Sequence, residues 1–136
     1  MHEKKLGCEL PTPAALSYVG DAVHSLYVRR MLVLRGITRS GDLNAAALSY
    51  VTAEAQAVLY SRIEHLLLDD ERDVFRRAFN STHLNKPKRA SAKDYRIATG
   101  FEAILGMLEW IGDRERLYLL LDTAHTEPLP ESAEEE

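Results

Sequence analysis

The chain has 136 residues, 17 of them basic and 21 acidic, with Cys8 as its only cysteine. That length suits one domain whose core needs no disulfide or metal staple, and a lone thiol excludes an internal disulfide, which fits a reducing, cytoplasmic compartment. The N-terminus carries charge with no apolar run behind it, and no apolar stretch approaches the roughly 20 residues of a membrane span, so neither a secretory leader nor a membrane partner is expected.

Residues 1–11 read as a flexible N-terminus. Thr12 is placed to cap a first helix, with Pro13 at its first position. Spacing predicts that this helix runs to about Leu34, with Leu16, Val19, Val23, Leu26 and Tyr27 inward and Gly36 as its stop. Ser40 or Asp42 caps a second helix over Leu43–Ser49. Thr52 caps a third, Ala53 to about Leu67, with Ala55, Val58, Leu59 and Ile63 inward. Asp69 and Asp70 begin a fourth, whose apolar stripe is Val74, Phe75, Ala78 and Phe79 and whose polar side carries Arg72, Arg76 and Arg77. Residues 80–92 break the pattern as a polar, basic loop. A fifth helix follows from about Lys93 to Ile111, with Ile97, Phe101, Ile104, Leu105 and Leu108 inward and Gly112 at its end. Asp113 caps the last, Arg114 to about Ala124. No alternating strand pattern and no solenoid repeat appears. The expectation is a single all-α domain of about six helices over residues 12–124, followed by an acidic, disordered tail over 125–136.

Charge is unevenly spread. Five of the acidic residues fall in the last ten positions, and the other 16 face 17 basic ones. Between Arg72 and Arg96 eight basic residues stand against Asp73 and Asp94 alone. A solvated charged face is the plainer account of such a run; a local basic patch on a near-neutral body also suits a polyanion binder.

Two segments carry the chemistry. In Leu16-Ser17-Tyr18-Val19-Gly20-Asp21-Ala22-Val23, an acid and a glycine interrupt an apolar helix, a costly pairing for local stability. A surface Asp beside a chance Gly would explain this segment alone. Thr99-Gly100-Phe101-Glu102-Ala103-Ile104-Leu105-Gly106 repeats the device. Glycines that let two helices approach would bring Asp21 and Glu102 into one site. Paired acids can act as general acid and base, or hold a hard cation such as Mg²⁺. The basic patch turns the second option toward a phosphodiester substrate. The five histidines are scattered, which speaks against a soft-metal site. His24, three residues after Asp21, is expected to support the site or to face solvent rather than to bind a metal.

Together these segments resemble the signature motif and the second acidic motif of the ribonuclease III family, about 80 residues apart in an all-α chain. The short chain, and Tyr95-Arg96 ahead of Ala98-Thr99-Gly100-Phe101-Glu102, are similar to the Mini-ribonuclease III branch, in which the catalytic domain stands alone. The resemblance implies a ribonuclease III endonuclease-domain-like helical bundle, homodimeric, with one cutting site per subunit. It implies an Mg²⁺-dependent endoribonuclease acting on double-stranded RNA by hydrolysis, leaving 5′-phosphate and 3′-hydroxyl ends. Asp21 and Glu102 match the family's metal-binding acids. The implied task is maturing the ends of the large-subunit (23S) ribosomal RNA precursor, in the context of a pre-ribosome or a ribosomal protein. Full-length members begin the signature as E-R-L-E-F-L-G-D. Here Ala14 and Ser17 replace its glutamates, and Thr99 stands where an aspartate is usual. Fewer acids argue against a tightly held second ion, not against the first. No residues remain for an appended RNA-binding domain, so Arg76, Arg77, Lys86, Lys88, Arg89 and Lys93 are expected to grip phosphates. The alternative is a non-catalytic RNA-binding or assembly module on the same scaffold.

Overall fold

The computed structural model describes residues 9–81 and 91–129. Six α-helices and one 3₁₀ turn account for its order: α1 (Pro13–Leu34), α2 (Ser40–Val51), α3 (Ala53–Ser61), the 3₁₀ turn (Glu64–Leu66), α4 (Asp69–Ser81), α5 (Ala92–Ile111) and α6 (Arg114–Ala124). No strand occurs among the described residues. Among the described residues, no helix is long and apolar enough to cross a membrane.

Local chemistry sets most boundaries. Thr12, Thr52, Ser91 and Asp113 each accept a backbone N–H from the first turn of the helix they cap, satisfying donors with no partner inside the helix. Gly112 takes a left-handed conformation, φ 78°, to end α5, and the Asp113 N–H closes the turn on the Leu108 carbonyl at 3.0 Å, the pattern that favours glycine there. The third helix is shorter than its apolar spacing predicts, ending at Ser61 rather than Leu67. The backbone beyond it has other partners. The Leu66 carbonyl accepts from Arg116 at 2.7 Å and the Leu68 N–H donates to Glu71 at 2.9 Å.

These bonds belong to an ion pair inside the fold. Glu71 is fully buried. Arg116 grips it with two N–H groups, each at 2.8 Å from a carboxylate oxygen. Every oxygen of the carboxylate is thus occupied, the condition under which a buried charge is tolerated.

The fifth helix is the axis of the molecule. Ten of its residues from Ala98 to Ile111 are buried, including Phe101, Ile104, Leu105 and Leu108. Helices α1, α3 and α4 pack around it, with α6 at its C-terminal end. The inward stripe of α1 is Leu16, Ser17, Gly20, His24, Val28 and Leu32. Leu26, expected inside, is 58% exposed; the stripe advances in four-residue steps and carries Leu26 to the outer flank. The ordered body also extends past Ala124, where a disordered tail was expected to begin. Arg62 donates to the carbonyls of Ala124, Glu127 and Pro128 at 2.7–2.9 Å, and Leu129 packs on the core.

Candidate active site

The site is built at the crossing of α1 and α5. A Cβ on Gly20 would lie 1.6 Å from the Glu102 carbonyl oxygen, and a Cβ on Gly106 would lie 1.8 Å from that of Leu16. Both clashes are with backbone, so the two helices touch main chain to main chain, and only glycine fits at either position. Gly100 plays a lesser part, leaving room for the Phe75 ring of α4.

This approach places the two acids side by side. Asp21 is exposed; Glu102 is mostly buried, and the two are close enough to share a hydrogen bond. Burial, then the charge of Asp21 and the bond shared with it, push the Glu102 carboxyl up to about 8. Two neighbours work the other way by donating to the ionised form. Ser17 Oγ donates to Glu102 Oε1 at 3.2 Å, and Gln56 Nε2 donates to Oε2 at 3.2 Å.

Ser17 comes from α1, one turn before Asp21, and Gln56 from the buried side of α3. Behind Gln56 stands His24, fully buried rather than on the surface, with Nδ1 3.0 Å from Gln56 Nε2 and Nε2 3.1 Å from His125 Nε2. With both ring nitrogens engaged, His24 has none left for a metal. Burial, reinforced by His125, lowers His24 to about 3. Burial, then Arg62 and Arg35, lowers His125 to about 4 against the opposing pull of Asp122. Both imidazoles are therefore neutral near pH 7.

The remaining sequence candidates are dispersed. Arg76 and Arg77 lie on the exposed face of α4 and both pair with Asp73, Arg77 at 3.0 Å. Lys93 is exposed in the first turn of α5. Lys86, Lys88 and Arg89 lie outside the described residues. Thr99 turns its hydroxyl back to the Tyr95 carbonyl at 2.9 Å. Gln56 and His125 escaped the sequence reading. The only signal for Gln56 was its place one residue after Ala55 on an otherwise apolar side of α3.

Among the described residues, no group of three or more His, Cys, Asp or Glu could enclose a metal ion. What is present is one pair of acids, one exposed and one mostly buried, whose mutual repulsion either a shared proton or a cation relieves. That donor set fits a hard cation that keeps most of its water, and does not fit one needing a full protein cage.

This helical frame with its acid pair defines the class. Residues 14–114 match the Ribonuclease III domain family, and the chain belongs to the ribonuclease III family, as an endoribonuclease. Within the family its relatives are proteins called Mini-ribonuclease 3. The one from Streptococcus pneumoniae is 40% identical, over 79% of this chain and 85% of its own. That from Symbiobacterium thermophilum is 41% identical, over 82% of this chain and 86% of its own. That from a Thermoanaerobacter species is 40% identical, over 82% of this chain and 78% of its own. A crystal structure of a Fusobacterium nucleatum protein, 24% identical, shares the fold with a TM-score of 0.75 over 82% of this chain and 88% of that one.

Proposed function

We propose that the chain cleaves double-stranded RNA as an Mg²⁺-dependent, cytoplasmic homodimer and matures the ends of the 23S ribosomal RNA precursor, in a pre-ribosomal setting. The observation that carries this reading is the meeting of Asp21 and Glu102 where α1 and α5 touch without side chains between them. When bound, Mg²⁺ supplies positive charge opposite the phosphate and acidifies water for attack. Asp21, the exposed acid, and Glu102, from the protein side, would hold the ion between them. Water adds to phosphorus, the P–O3′ bond breaks, and the proton ends on the 3′ oxygen, leaving a 5′-phosphate and a 3′-hydroxyl.

Arg76, Arg77, Lys93 and the segment with Lys86, Lys88 and Arg89 hold backbone phosphates in this reading, which suits a duplex recognised by shape. The homodimer is supported by a flank of α1. Tyr18, Ala22, Leu26 and Val33 follow one another at four- and seven-residue steps, and Tyr18 is 82% exposed. Of these, Tyr18, Leu26 and Val33 are large apolar side chains left at the surface, and such side chains grouped on one flank mark an interaction face. The 23S assignment rests on the likeness to the Mini-ribonuclease III branch.

The test is incubation with a perfect RNA duplex, in Mg²⁺ or in EDTA, with the product ends mapped. Cutting is expected in Mg²⁺ only. Asp21→Asn is expected to lower it by at least about a thousandfold while the protein keeps its helicity and sediments as a dimer. Undiminished cutting by that variant overturns the role given to Asp21. A duplex that is bound and left whole by the unsubstituted protein favours a non-catalytic RNA-binding module.

A further inference from the structure

Gln56 is 2% exposed, and its amide nitrogen lies 3.2 Å from Glu102 Oε2 and 3.0 Å from His24 Nδ1. With Glu102 ionised, as a bound cation would keep it, a turned-over amide would aim its oxygen at a carboxylate, so in that state the orientation with nitrogen inward is the one chemistry allows. Both of its N–H bonds are then in use, one on Glu102 and one on His24. A ring nitrogen that accepts carries no proton, so His24 is the Nε2–H tautomer. That N–H faces His125 Nε2 at 3.1 Å, which must accept, so His125 carries its proton on Nδ1. The polarity of four groups is thus set in series, from the end of α6 through α1 and α3 to the acid on α5. At the far end, the His125 ring sits among Tyr27 and Tyr50, and Arg62 secures the backbone on either side of it.

We propose that Gln56 is a positioning residue for Glu102: its amide, oriented by His24 and His125, pins Oε2 while Ser17 pins Oε1, keeping the carboxylate turned toward Asp21. It touches no reacting atom. The proposal rests on the reading of Asp21 and Glu102 as a cation site. Glutamine suits the task because it adds a donor without adding charge. A leucine there leaves Oε2 with no donor from α3, and a glutamate repels the acid it should hold.

The probe is Mn²⁺, titrated by electron paramagnetic resonance into the full chain without RNA. Gln56→Leu is expected to bind Mn²⁺ at least about tenfold more weakly than the unsubstituted protein, the usual cost of losing a partner that orients a metal ligand. The Mg²⁺ concentration for half-maximal cleavage rises by the same factor, while the rate at saturating Mg²⁺ is retained, a split that a purely structural role would not produce. Equal Mn²⁺ affinity in the folded variant overturns the role of Gln56 and leaves the acid pair standing. If the unsubstituted protein binds Mn²⁺ no better than Asp21→Asn, the cation site fails and the proposal with it. Should Gln56→Leu not fold, nitrogen-15 spectra of the unsubstituted protein decide. Nε2–H on His24 with Nδ1–H on His125 supports the series, and Nδ1–H on His24 overturns it.

Discussion

Burial lowers His24 to about 3 and His125 to about 4, so the folded protein holds two neutral imidazoles where an unfolded chain, below its ordinary value near 6.5, holds two charged ones. Their contribution is whole above about pH 6.5 and is lost as pH falls. Glu102 acts in the opposite sense. With its carboxyl raised to about 8, the metal-free folded state keeps a proton that the unfolded chain releases above its ordinary 4.5. That contribution is whole below 4.5 and is lost as pH rises through 8. His24 faces Gln56, Phe101 and His125, and the charged groups around His125 are Arg62, Arg35 and Asp122. In EDTA, two imidazoles outweigh one carboxyl below pH 6.5, and the carboxyl acts alone above it. Stability should therefore peak near pH 6.5 and fall on both sides, as read by urea unfolding from pH 5 to 9. A flat profile would mean that none of the three groups is perturbed. The candidate pair Asp21 and Glu102 was legible in the sequence because each is an acid set near a glycine in an apolar helix. Gln56 was not, since a polar residue on a helix is ordinarily solvated and the role proposed for it appears only when two other helices, α1 and α5, meet it. Glu71 was hidden for the same reason: an acid in the first turn of α4 reads as a surface residue until Arg116, 45 positions away, is brought against it.

The start of α2, where Ser40 or Asp42 was expected to cap a helix from Leu43, falls behind Arg39 with no side-chain cap bond. Three other starts were readable from single residues, because a cap acts over three positions, and the Thr12, Thr52 and Asp113 caps stand where the local chemistry puts them. The end of α3 was not, because it depends on the remote Glu71–Arg116 pair and not on the apolar rhythm of Leu59, Ile63 and Leu66. The crossing of α1 and α5 lies between these cases. Gly20 suggested a close approach, and the structure supplies Gly106 as its counterpart. Gly20→Ala and Gly106→Ala should each destabilise the protein by at least about 3 kcal/mol in urea unfolding, the upper end of ordinary overpacking, since the obstacle is a carbonyl that cannot turn aside. Gly41, in the first turn of α2 with nothing within 4 Å of an added Cβ, is the control. Gly41→Ala should be neutral or stabilising by up to about 1 kcal/mol. Equal effects at all three positions would mean that the crossing is looser than described.

For the whole molecule, the number of helices and the all-α class followed from periodicity alone, whereas the way the basic residues serve the acids did not. Arg76 and Arg77 share Asp73 on α4, so part of the charge counted in the sequence is already answered within the protein. The lysines and arginine at 86, 88 and 89 then carry the greater share of phosphate binding in the proposed complex. Changing all three to alanine should weaken RNA binding and flatten the plot of log affinity against log salt by about 0.7–0.9 for each phosphate no longer neutralised, measured by fluorescence anisotropy on a labelled duplex in EDTA. An unchanged slope would remove that segment from the RNA surface.

The bare contact between α1 and α5 ties durability to the proposed catalysis. The same two glycines that seat one helix on the other also set how far apart the acids stand, so no substitution there can tune either property by itself. Anyone seeking a hardier version of this protein should work instead around the Glu71–Arg116 pair, which shares no residue with the two acids or with the Gln56–His24–His125 series.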